Sequence, residues 1–522
     1  LAKDWSYDPD AKEATVTIKE GLSWHDGTPL KASSVVTDFR MGKMWGASVW
    51  DFANRVYAKD DYTLGVEVEE VNPSIVFGAI LGRGANYKPE FYDPYIEDWE
   101  DASSEDEKNS IYEGLIQEKW GIERGRKLGN GPLRIEQVTN KEITAVPYED
   151  FPEEHLTGSY NFNGTKNIHF GSNRARHQAI ATNKVDIAQG NVPPTLETEL
   201  NAGQEWELFL IPRFLGNSLF FSPNSDAVGG SDETSRKLRQ AICHWYDTYT
   251  YMKLKQNLGE NGPGPVNVGV TPPVADRWLD TSNYIDYGRA TDPDVARQAD
   301  KAEQAMQDGG FERNSNDMWV DPRTDEVVEL PVRFHTDWSA HLEANKQVAE
   351  QLQDFGIQSE ATGEEGTTFF GQTLPNHDFE VGIGVIYGVT GELPHPYNAY
   401  RNCMSSLQDP GSLYTPQIDE EQIPETIGDP DSSLTTINHK ELIQELGQTA
   451  DEDREQEIVR TLAWSWNWNC RQYCLQTARR KGWVSRDGWD YDFDREGALW
   501  GIAAPYTPAI ETGAVRAVEP MG

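Results

Sequence analysis

Apolar and polar residues alternate with two different periods along this chain of 522 residues. The stretch 14–18, ATVTI, alternates apolar and polar positions, which predicts a half-buried strand, and the stretch 64–68 repeats the pattern. Between them, Ser33 or Ser34 is predicted to cap a helix whose apolar positions begin at Val35. Strands and helices continue to alternate downstream, which is typical of α/β layering.

The alternation begins again after residue 224. The stretch 235–247 has the apolar spacing of a helix that buries one face, and the stretches 329–335 and 379–385 alternate as strands do. A single hydrophobic core stops growing at roughly 250 to 300 residues, so this length predicts more than one lobe. No compositional linker separates the two halves, which predicts lobes that share crossing segments.

The stretch Trp24 to Gly27, WHDG, places a histidine beside an aspartate, a pair that can belong to a catalytic or metal site. However, Asp26-Gly27 and Thr28-Pro29 are typical turn pairs, and they stand between a predicted strand and a predicted helix. Nothing nearby in the sequence supplies a third ligand or a nucleophile. The sequence therefore favours a structural turn.

The charge of the chain is strongly acidic, with 46 Lys and Arg against 86 Asp and Glu and a formal net charge of -40. Such a chain lacks the basic patch that releases phosphate counterions, so nucleic acid and anionic membrane surfaces are excluded as partners. The acids are dispersed from end to end. This dispersion favours the uniformly solvated surface of a halophilic, haloarchaeal-like protein over a trap for cationic ligands.

Motifs for catalysis and for membrane insertion are missing from the sequence. The longest clear apolar run is Ile75–Leu81, well short of the ~18 residues that span a bilayer. No GxSxG, HExxH or phosphate loop occurs, so we expect no catalytic residue, no metal and no cofactor. Asp490, Asp492 and Asp494 have a calcium-loop spacing, but Arg495 stands where a tight turn needs glycine, which disfavours calcium.

The chain has four cysteines, at positions Cys243, Cys403, Cys470 and Cys474. They are too few for a disulfide scaffold and form no paired CxxC zinc pattern. Structural thiols and a disulfide formed in an oxidising compartment both remain open, and the sequence does not determine the pairing.

Several stretches follow one another in a characteristic order: 1–36, 129–151, 168–188, 236–247, 292–311, 348–358 and 377–388. Together they resemble the extracellular solute-binding proteins of family 5, the receptors of dipeptide and oligopeptide ABC importers. The resemblance covers almost the whole chain. In that family the WHDGTP stretch is structural, in agreement with the turn interpretation.

The resemblance implies an α/β, two-lobe fold like that of the type II periplasmic binding proteins, of cluster C, with the ligand cleft between the lobes. Lobe one is expected at residues 1–220, with an extra subdomain at about 1–127, and lobe two at 221–471. Residues 472–522 are expected to return to lobe one.

The function that the resemblance implies is an extracellular receptor that captures a peptide-like solute between two closing lobes and delivers it to an ABC permease. We expect a monomer without enzymatic activity, at the outer face of the cell membrane, secreted or lipid-anchored. Family members carry a signal peptide and further residues before the counterpart of Leu1, so the chain is expected to be truncated at its N-terminus.

Four ligand-binding residues are carried over from the family: Asn217, Tyr387, Thr390 and Glu392. Peptide-binding relatives have an aspartate that pairs with the peptide amino terminus, and this chain lacks it. Glu392 is the nearest carboxylate in the sequence and is the candidate replacement.

Two alternative functions remain. The stretch AWSWNWN contains Trp464, Trp466 and Trp468, whose indole rings can stack on sugars, so an oligosaccharide receptor with Trp468 in its site is the first. Burial of these tryptophans in the core, at a helix end and the following strand, is the favoured interpretation. A secreted hydrolase is the second alternative and is less favoured, because no catalytic motif supports it.

Overall fold

The computed structural model describes the chain in the following residue ranges: 1–68, 72, 75, 78, 80–117, 129–156, 158, 160–190, 192, 194–203, 205–254, 266–288, 297–336, 341–387, 395–404, 418–491 and 515–518. The chain divides into two compact units. Unit 1 comprises Leu1–Ile211 and Gly482–Gly522, and unit 2 comprises Pro212–Lys481.

The α-helices are labelled in chain order: α1 Ala32–Met44, α2 Pro89–Asp101, α3 Glu105–Gln117, α4 Asn173–Ala181, α5 Pro194–Ala202, α6 Glu233–Trp245, α7 Thr248–Leu254, α8 Pro272–Trp278, α9 Ala299–Asp308, α10 Leu342–Asp354, α11 Gly366–Thr368, α12 Pro396–Met404, α13 His439–Gln448 and α14 Glu452–Asn469. The strands are β1 Ala2–Asp8, β2 Glu13–Ile18, β3 Ala53–Ala58, β4 Thr63–Val68, β5 Leu133–Val138, β6 Glu142–Pro147, β7 Thr165–Ile168, β8 Ile187–Gln189, β9 Trp206–Phe221, β10 Glu312–Arg313, β11 Trp319–Asp321, β12 Glu326–Val327, β13 Val332–His335, β14 Ala361–Glu364, β15 Val381–Tyr387, β16 Glu420–Pro424, β17 Leu434–Asn438, β18 Gln472–Ser485, β19 Trp489–Tyr491 and β20 Val515–Ala517.

Unit 1 opens with an antiparallel sheet in the order β1-β2-β4-β3. The strands predicted at 14–18 and 64–68 are β2 and β4, which pair directly. The predicted serine cap of α1 is wrong, because the helix begins earlier, with Lys31 at its N-cap and no side-chain cap bond. The backbone amide of Ala32 instead donates to the carbonyl of Asp61 at 2.8 Å, so a tertiary contact satisfies the helix start.

Two further assemblies belong to unit 1. Helices α1, α2 and α3 pack around Ile96 and Leu115, against which several partly buried tyrosines and Trp99 also pack. Helices α4 and α5 pack with β8 and the wholly buried Trp483 of β18. Between them in sequence, β5, β6 and β7 form an antiparallel sheet.

The main sheet has the order β14-β13-β15-β9-β18-β8. Leu219 and Phe221 of β9 face a core formed with α6, α9 and α10, whereas Phe220 faces the other side. Gly382 and Gly384 of β15 make room for the Phe220 ring, since a Cβ at Gly382 would lie 2.1 Å from it. Close approach of the ring therefore explains why this strand alternates glycine with valine and isoleucine.

Strands β9 and β18 each pass from one unit to the other. The lobe boundaries suggested by the sequence, after residue 220 and before residue 472, lie at the ends of these two strands. Among the helices in the described ranges, none combines the length and the apolar character that crossing a membrane requires.

Candidate functional site

The parallel strands of unit 2 end along one edge of their sheet. Strand β13 pairs in parallel with both β14 and β15, and the three strands end at His335, Glu364 and Tyr387. Ligands of α/β sheets bind in the crevice outside the carboxyl ends of the strands. The backbone of Tyr387 lies at this edge, whereas its side chain, Thr390 and Glu392 lie outside the part of the chain that the structure describes.

Strand β9 runs antiparallel beside β15, so that Asn217 pairs with Val385 and Gly216 pairs with Tyr387. The structure thus brings the predicted residues Asn217 and Tyr387 onto neighbouring strands. A Cβ at Gly216 would lie 2.3 Å from the carbonyl oxygen of Gln476 on β18. Only glycine allows the backbones of β9 and β18 to approach so closely beside Asn217.

The side chain of Asn217 is 2% exposed and is held through its amide nitrogen. Its Nδ2 lies 3.1 Å from the hydroxyl of Tyr251 and 3.3 Å from Nδ1 of His341. The Tyr251 hydroxyl in turn donates to Oδ1 of Asn345 at 3.1 Å. Both partners of Nδ2 act as acceptors, which places the His341 proton on Nε2. Groups on α7 and at the start of α10 therefore fix the orientation of the amide.

The amide oxygen of Asn217 accepts no hydrogen bond from the described residues. A buried acceptor left without a donor costs about 1–3 kcal/mol, and such atoms are normally met by water or by a ligand. Because Nδ2 is already engaged by protein groups, the group that remains is an acceptor. It suits an N–H or O–H donor of a bound solute.

The other two strand ends differ in what they offer. The carboxylate of Glu364 receives hydrogen bonds from Nη1 of Arg333 at 2.9 Å and from the hydroxyl of Thr373 at 2.5 Å. Its charge is therefore engaged by protein partners. His335 is 3% exposed, and its ring centroid lies 5.0 Å from that of Phe370. Two aromatic rings therefore lie beside the carboxyl end of β13.

Sequence reasoning missed the residues that hold Asn217 in place: Tyr251, His341 and Asn345. It also missed His335, which ends the strand predicted at 329–335. The rule that polar residues at strand ends line α/β crevices could have found His335. The other three carry no local signal, because their role depends on contacts between residues that are 34 to 124 positions apart.

The sequence profile described as bacterial extracellular solute-binding proteins, family 5 Middle, matches residues 1–409. The chain belongs to this family.

Three proteins with which this family 5 protein was compared are distant from it in sequence. A probable peptide ABC transporter periplasmic-binding protein of Sinorhizobium fredii is 30% identical over 73 residues, which span 13% of this chain and 14% of that protein. The oligopeptide-binding protein AppA of Bacillus subtilis, solved with a nonapeptide, is 13% identical with a TM-score of 0.68, and the match covers 99% of this chain and 90% of that one.

A periplasmic oligopeptide-binding protein of Thermotoga maritima, solved with mannohexaose bound, gives a TM-score of 0.69 at 14% identity, over 99% of this chain and 90% of that one. These structural matches confirm the two-lobe, periplasmic-binding-protein-like fold.

The three tryptophans of AWSWNWN lie at the C-terminal end of α14 of this family 5 protein, as predicted, but none of them lies in the following strand. Trp468 is 5% exposed, and the guanidinium of Arg236 lies 4.9 Å from its ring centroid. The Trp464 ring lies 6.0 Å away on the same helix. The described contacts of Trp468 are thus those of a packed core residue, and its role in ligand binding stays a prediction.

A serine–histidine pair lies in the interior of unit 2. The hydroxyl of Ser465 lies 2.8 Å from Nε2 of His439, and Nδ1 of His439 lies 2.8 Å from the carbonyl of Ile418. With the ring proton on Nδ1, Nε2 accepts from the serine, as in a hydrolase. However, both residues are at most 2% exposed and border a cavity of about 20 Å³. A space of that size holds a water molecule but no peptide bond with its flanking residues.

The WHDG stretch of unit 1 is a turn whose side chains make structural contacts. Nε2 of His25 lies 2.7 Å from the carbonyl of Gly131, and burial lowers the pKa of His25. Lys88, which is 3% exposed, forms an ion pair with Asp26. Although burial acts to raise the pKa of Asp26, hydrogen bonds from Lys88 and Thr28 hold it at about 2. The backbone amide of Gly27 donates to the carbonyl of Trp24 at 2.8 Å, which confirms the turn.

Metal-ligating residues do not cluster within the described ranges, where no group of three His, Cys, Asp or Glu side chains could hold a metal ion. Of the disfavoured calcium motif, Asp490 lies on β19, and Asp492 and Asp494 lie outside the described residues.

Proposed function

We propose that this protein is the extracellular receptor of an ABC importer, and that it captures a peptide-like solute and delivers it to a membrane permease. Membership of family 5 supports the solute-binding role. The observation that carries the site is the buried amide oxygen of Asn217, which no described residue meets with a hydrogen bond, on the strand beside the end of β15.

A peptide supplies the kind of donor that this site requires. Each non-proline residue of a peptide carries a backbone N–H, and its amino terminus carries a charged ammonium group. In the proposed complex the Asn217 oxygen accepts from the peptide backbone, while Glu392 meets the ammonium group. The named relatives from Sinorhizobium fredii and Bacillus subtilis, described as peptide-binding, support this solute class.

The protein performs no covalent chemistry in this proposal. The solute binds an open form weakly and a closed form tightly, and the difference in affinity shifts the population towards the closed form. A shift from 1:99 to 99:1 requires about 5.5 kcal/mol of that difference. Small-angle scattering should therefore report a smaller radius of gyration in the presence of the solute.

The first experiment identifies the solute. Native mass spectrometry of the purified protein should detect a co-purified oligopeptide, and calorimetric titration should then give its affinity. Release of peptide fragments by the pure protein would instead support the secreted hydrolase.

Two asparagine variants test the site. Asn217→Ala should weaken peptide binding by about 0.5–1.5 kcal/mol, or more if its partner is charged. Asn467→Ala is the matched control, because it removes a buried asparagine of unit 2 whose hydrogen bonds go to the backbones of Ile285 and Asn267 and not to the groups that hold Asn217. Both variants should unfold at lower temperature, but only Asn217→Ala should lose affinity. Equal losses of affinity would assign Asn217 a structural role alone.

An oligosaccharide receptor remains the second candidate, because the Thermotoga maritima relative was solved with mannohexaose. The core contacts of Trp464 and Trp468 argue against stacking of a sugar on α14. Titration with mannohexaose beside oligopeptides distinguishes the two solute classes.

The remaining parts of the proposal concern assembly and location. We expect a monomer, since one chain supplies both units, and light scattering coupled to gel filtration should give a mass near 58.8 kDa. We also propose that the protein is held at the outer face of the cell membrane, and mass spectrometry of the protein from its native membrane would detect a lipid anchor.

A further inference from the structure

Three arginines lie in the interior of unit 2, near the end of α14. Arg236 and Arg239 are one turn apart on α6, and Arg471 stands between α14 and β18. Their exposed fractions are 5%, 0% and 9%. A guanidinium group keeps its proton in proteins, and a buried charge is costly unless an opposite charge accompanies it. These three buried cations therefore require counter-charges.

The guanidinium groups of Arg239 and Arg471 bind the same short loop. Nη1 of Arg239 donates to the carbonyls of Val228 and Gly230, at 2.5 and 2.8 Å. Nη1 of Arg471 donates to the carbonyl between them, that of Gly229, at 2.5 Å. Because the three carbonyls are successive, the two cations lie close to each other and repel one another.

The protein supplies this cluster with one buried carboxylate. Oε1 of Glu421 lies 2.7 Å from Nε of Arg471, whereas the described hydrogen bonds of Arg239 all go to backbone carbonyls. The acids at the start of α6, Asp232 and Glu233, are exposed. Burial lowers the pKa of Arg239 well below its usual range, and the charge of Arg471 acts in the same direction. Positive charge is thus in excess at this point of the interior.

Three buried N–H groups of the cluster also find no hydrogen-bond acceptor among the described residues. They are Nη2 of Arg239, Nε of Arg236 and Nε1 of Trp468. The groups are gathered in one region, because the Arg236 guanidinium lies 4.9 Å from the centroid of the Trp468 ring. Arg239 in turn donates through Nε to the carbonyl of the next residue, Asn469, at 2.8 Å. All three are donors, so the partner that they suit is an acceptor.

We propose that Arg236, Arg239 and Trp468 bind a chloride ion in the interior of unit 2. An anion both accepts hydrogen bonds and supplies the missing negative charge. A halide suits so closed a site because it is small and monovalent, whereas a sulfate or phosphate would lose more hydration free energy on burial. The inference is independent of the solute-binding proposal, since it involves neither Asn217 nor the groups that hold it.

Crystallography with bromide tests the position of the ion. Bromide replaces chloride in halide sites, and its anomalous scattering distinguishes it from water. Crystals of the full chain grown in sodium bromide should show an anomalous peak beside Nη2 of Arg239 and Nε of Arg236. A water molecule alone at this position, or bromide at exposed side chains only, would overturn the proposal.

Thermal unfolding measures the binding in solution. Potassium chloride is exchanged stepwise for potassium gluconate, whose anion is too large for the closed site, at constant ionic strength, so that surface charges stay equally screened. The melting temperature should rise with chloride and then level off. At about 100 times the dissociation constant the gain should be roughly 5–10 °C. Equal melting temperatures in the two salts would contradict the proposal.

Three variants assign this response to the cluster. Trp468→Phe keeps an aromatic ring beside Arg236 but removes the indole N–H, so the chloride concentration at half-maximal stabilisation should rise about 2- to 10-fold. Trp464→Phe is the matched control on the same helix, because its Nε1 already donates to the carbonyl of Pro424 at 3.0 Å. It should unfold at lower temperature but keep the wild-type half-maximal concentration. Arg236→Met should lose the chloride response. A wild-type response in Arg236→Met, or equal shifts in the two tryptophan variants, would refute the assignment.

Discussion

The Arg471–Glu421 ion pair of unit 2 allows the energetic effect of burial to be measured against an exposed pair of the same chemistry. Nε and Nη2 of Arg471 lie 2.7 and 2.5 Å from Oε1 of Glu421. The side chains are 10% and 2% exposed. The exposed counterpart is Arg454–Glu445, whose two contacts are both 2.7 Å and whose side chains are 38% and 43% exposed.

We predict that Glu421→Gln destabilises the protein far more than Glu445→Gln. Loss of one partner from a buried pair leaves an uncompensated charge, at about 3–5 kcal/mol, whereas an exposed pair contributes about 0–1 kcal/mol. Arg471 would keep hydrogen bonds to the carbonyl of Gly229 and the hydroxyl of Ser231, which do not neutralise its charge. At about 2–4 °C per kcal/mol for large domains, the expected losses in melting temperature are roughly 6–20 °C and under ~4 °C.

Thermal unfolding followed by tryptophan fluorescence, with all variants in the same salt, measures this difference. A double variant, Glu421→Leu with Arg471→Met, should recover much of the loss, because well-packed apolar residues can replace a buried ion pair. Equal, small shifts for Glu421→Gln and Glu445→Gln would refute the reasoning, since they would mean that burial leaves the pair as well screened as a surface pair.

Three further predictions concern the pocket, pH and salt. If Glu392 meets a peptide amine, Glu392→Gln should weaken binding by about 1.5–3 kcal/mol in calorimetry. If a sugar stacks on aromatic rings, Tyr387→Ala or Trp468→Ala should weaken binding more than Glu392→Gln does. Unaltered affinities in all three variants would mean that the pocket lies elsewhere. Burial, aided by the charge of Lys301, lowers the pKa of His244 to about 3 in the folded protein. In the unfolded chain its pKa is near 6.5. The stability that this residue contributes is therefore complete above pH 6.5 and is lost as the pH falls towards 3. Denaturant titrations should show that His244→Gln reduces this slope, and an unchanged slope would contradict the assignment. We also propose that the net charge of -40 reflects a halophilic surface, so the melting temperature should rise from dilute buffer into molar KCl, whereas a flat or falling trend would rule this out.

Part of the candidate site could be predicted from the sequence. The family resemblance indicated Asn217 and Tyr387, and the structure has them on paired strands. It could not indicate Tyr251 or His341, because the hydrogen bonds that orient the Asn217 amide join residues that only the folded sheet and helices bring together. That its amide oxygen accepts no hydrogen bond from the described residues likewise follows from how the whole cluster is paired and from no single residue.

The tryptophans of α14 show why spacing alone can mislead. Trp464, Trp466 and Trp468 occur at every second position, which matches the period of a strand. On a helix, residues two apart point to different sides and residues four apart share one, so Trp464 and Trp468 pack together. The segment is buried on all sides, so its polar residues Ser465, Asn467 and Asn469 lie in the core and do not mark an exposed face with the helical period.

Sequence alone determined the features of this protein that depend on local chemistry: the strand and helix periods, the WHDG turn, the acidic balance and, through its ordered motifs, the family. These depend on residues close in the chain or on composition. Tertiary structure decided the start of α1, the partners of Asn217 and the burial of Arg471. Each of these depends on packing between distant segments, where local preferences are weak compared with the free energy of burying apolar surface and satisfying polar groups.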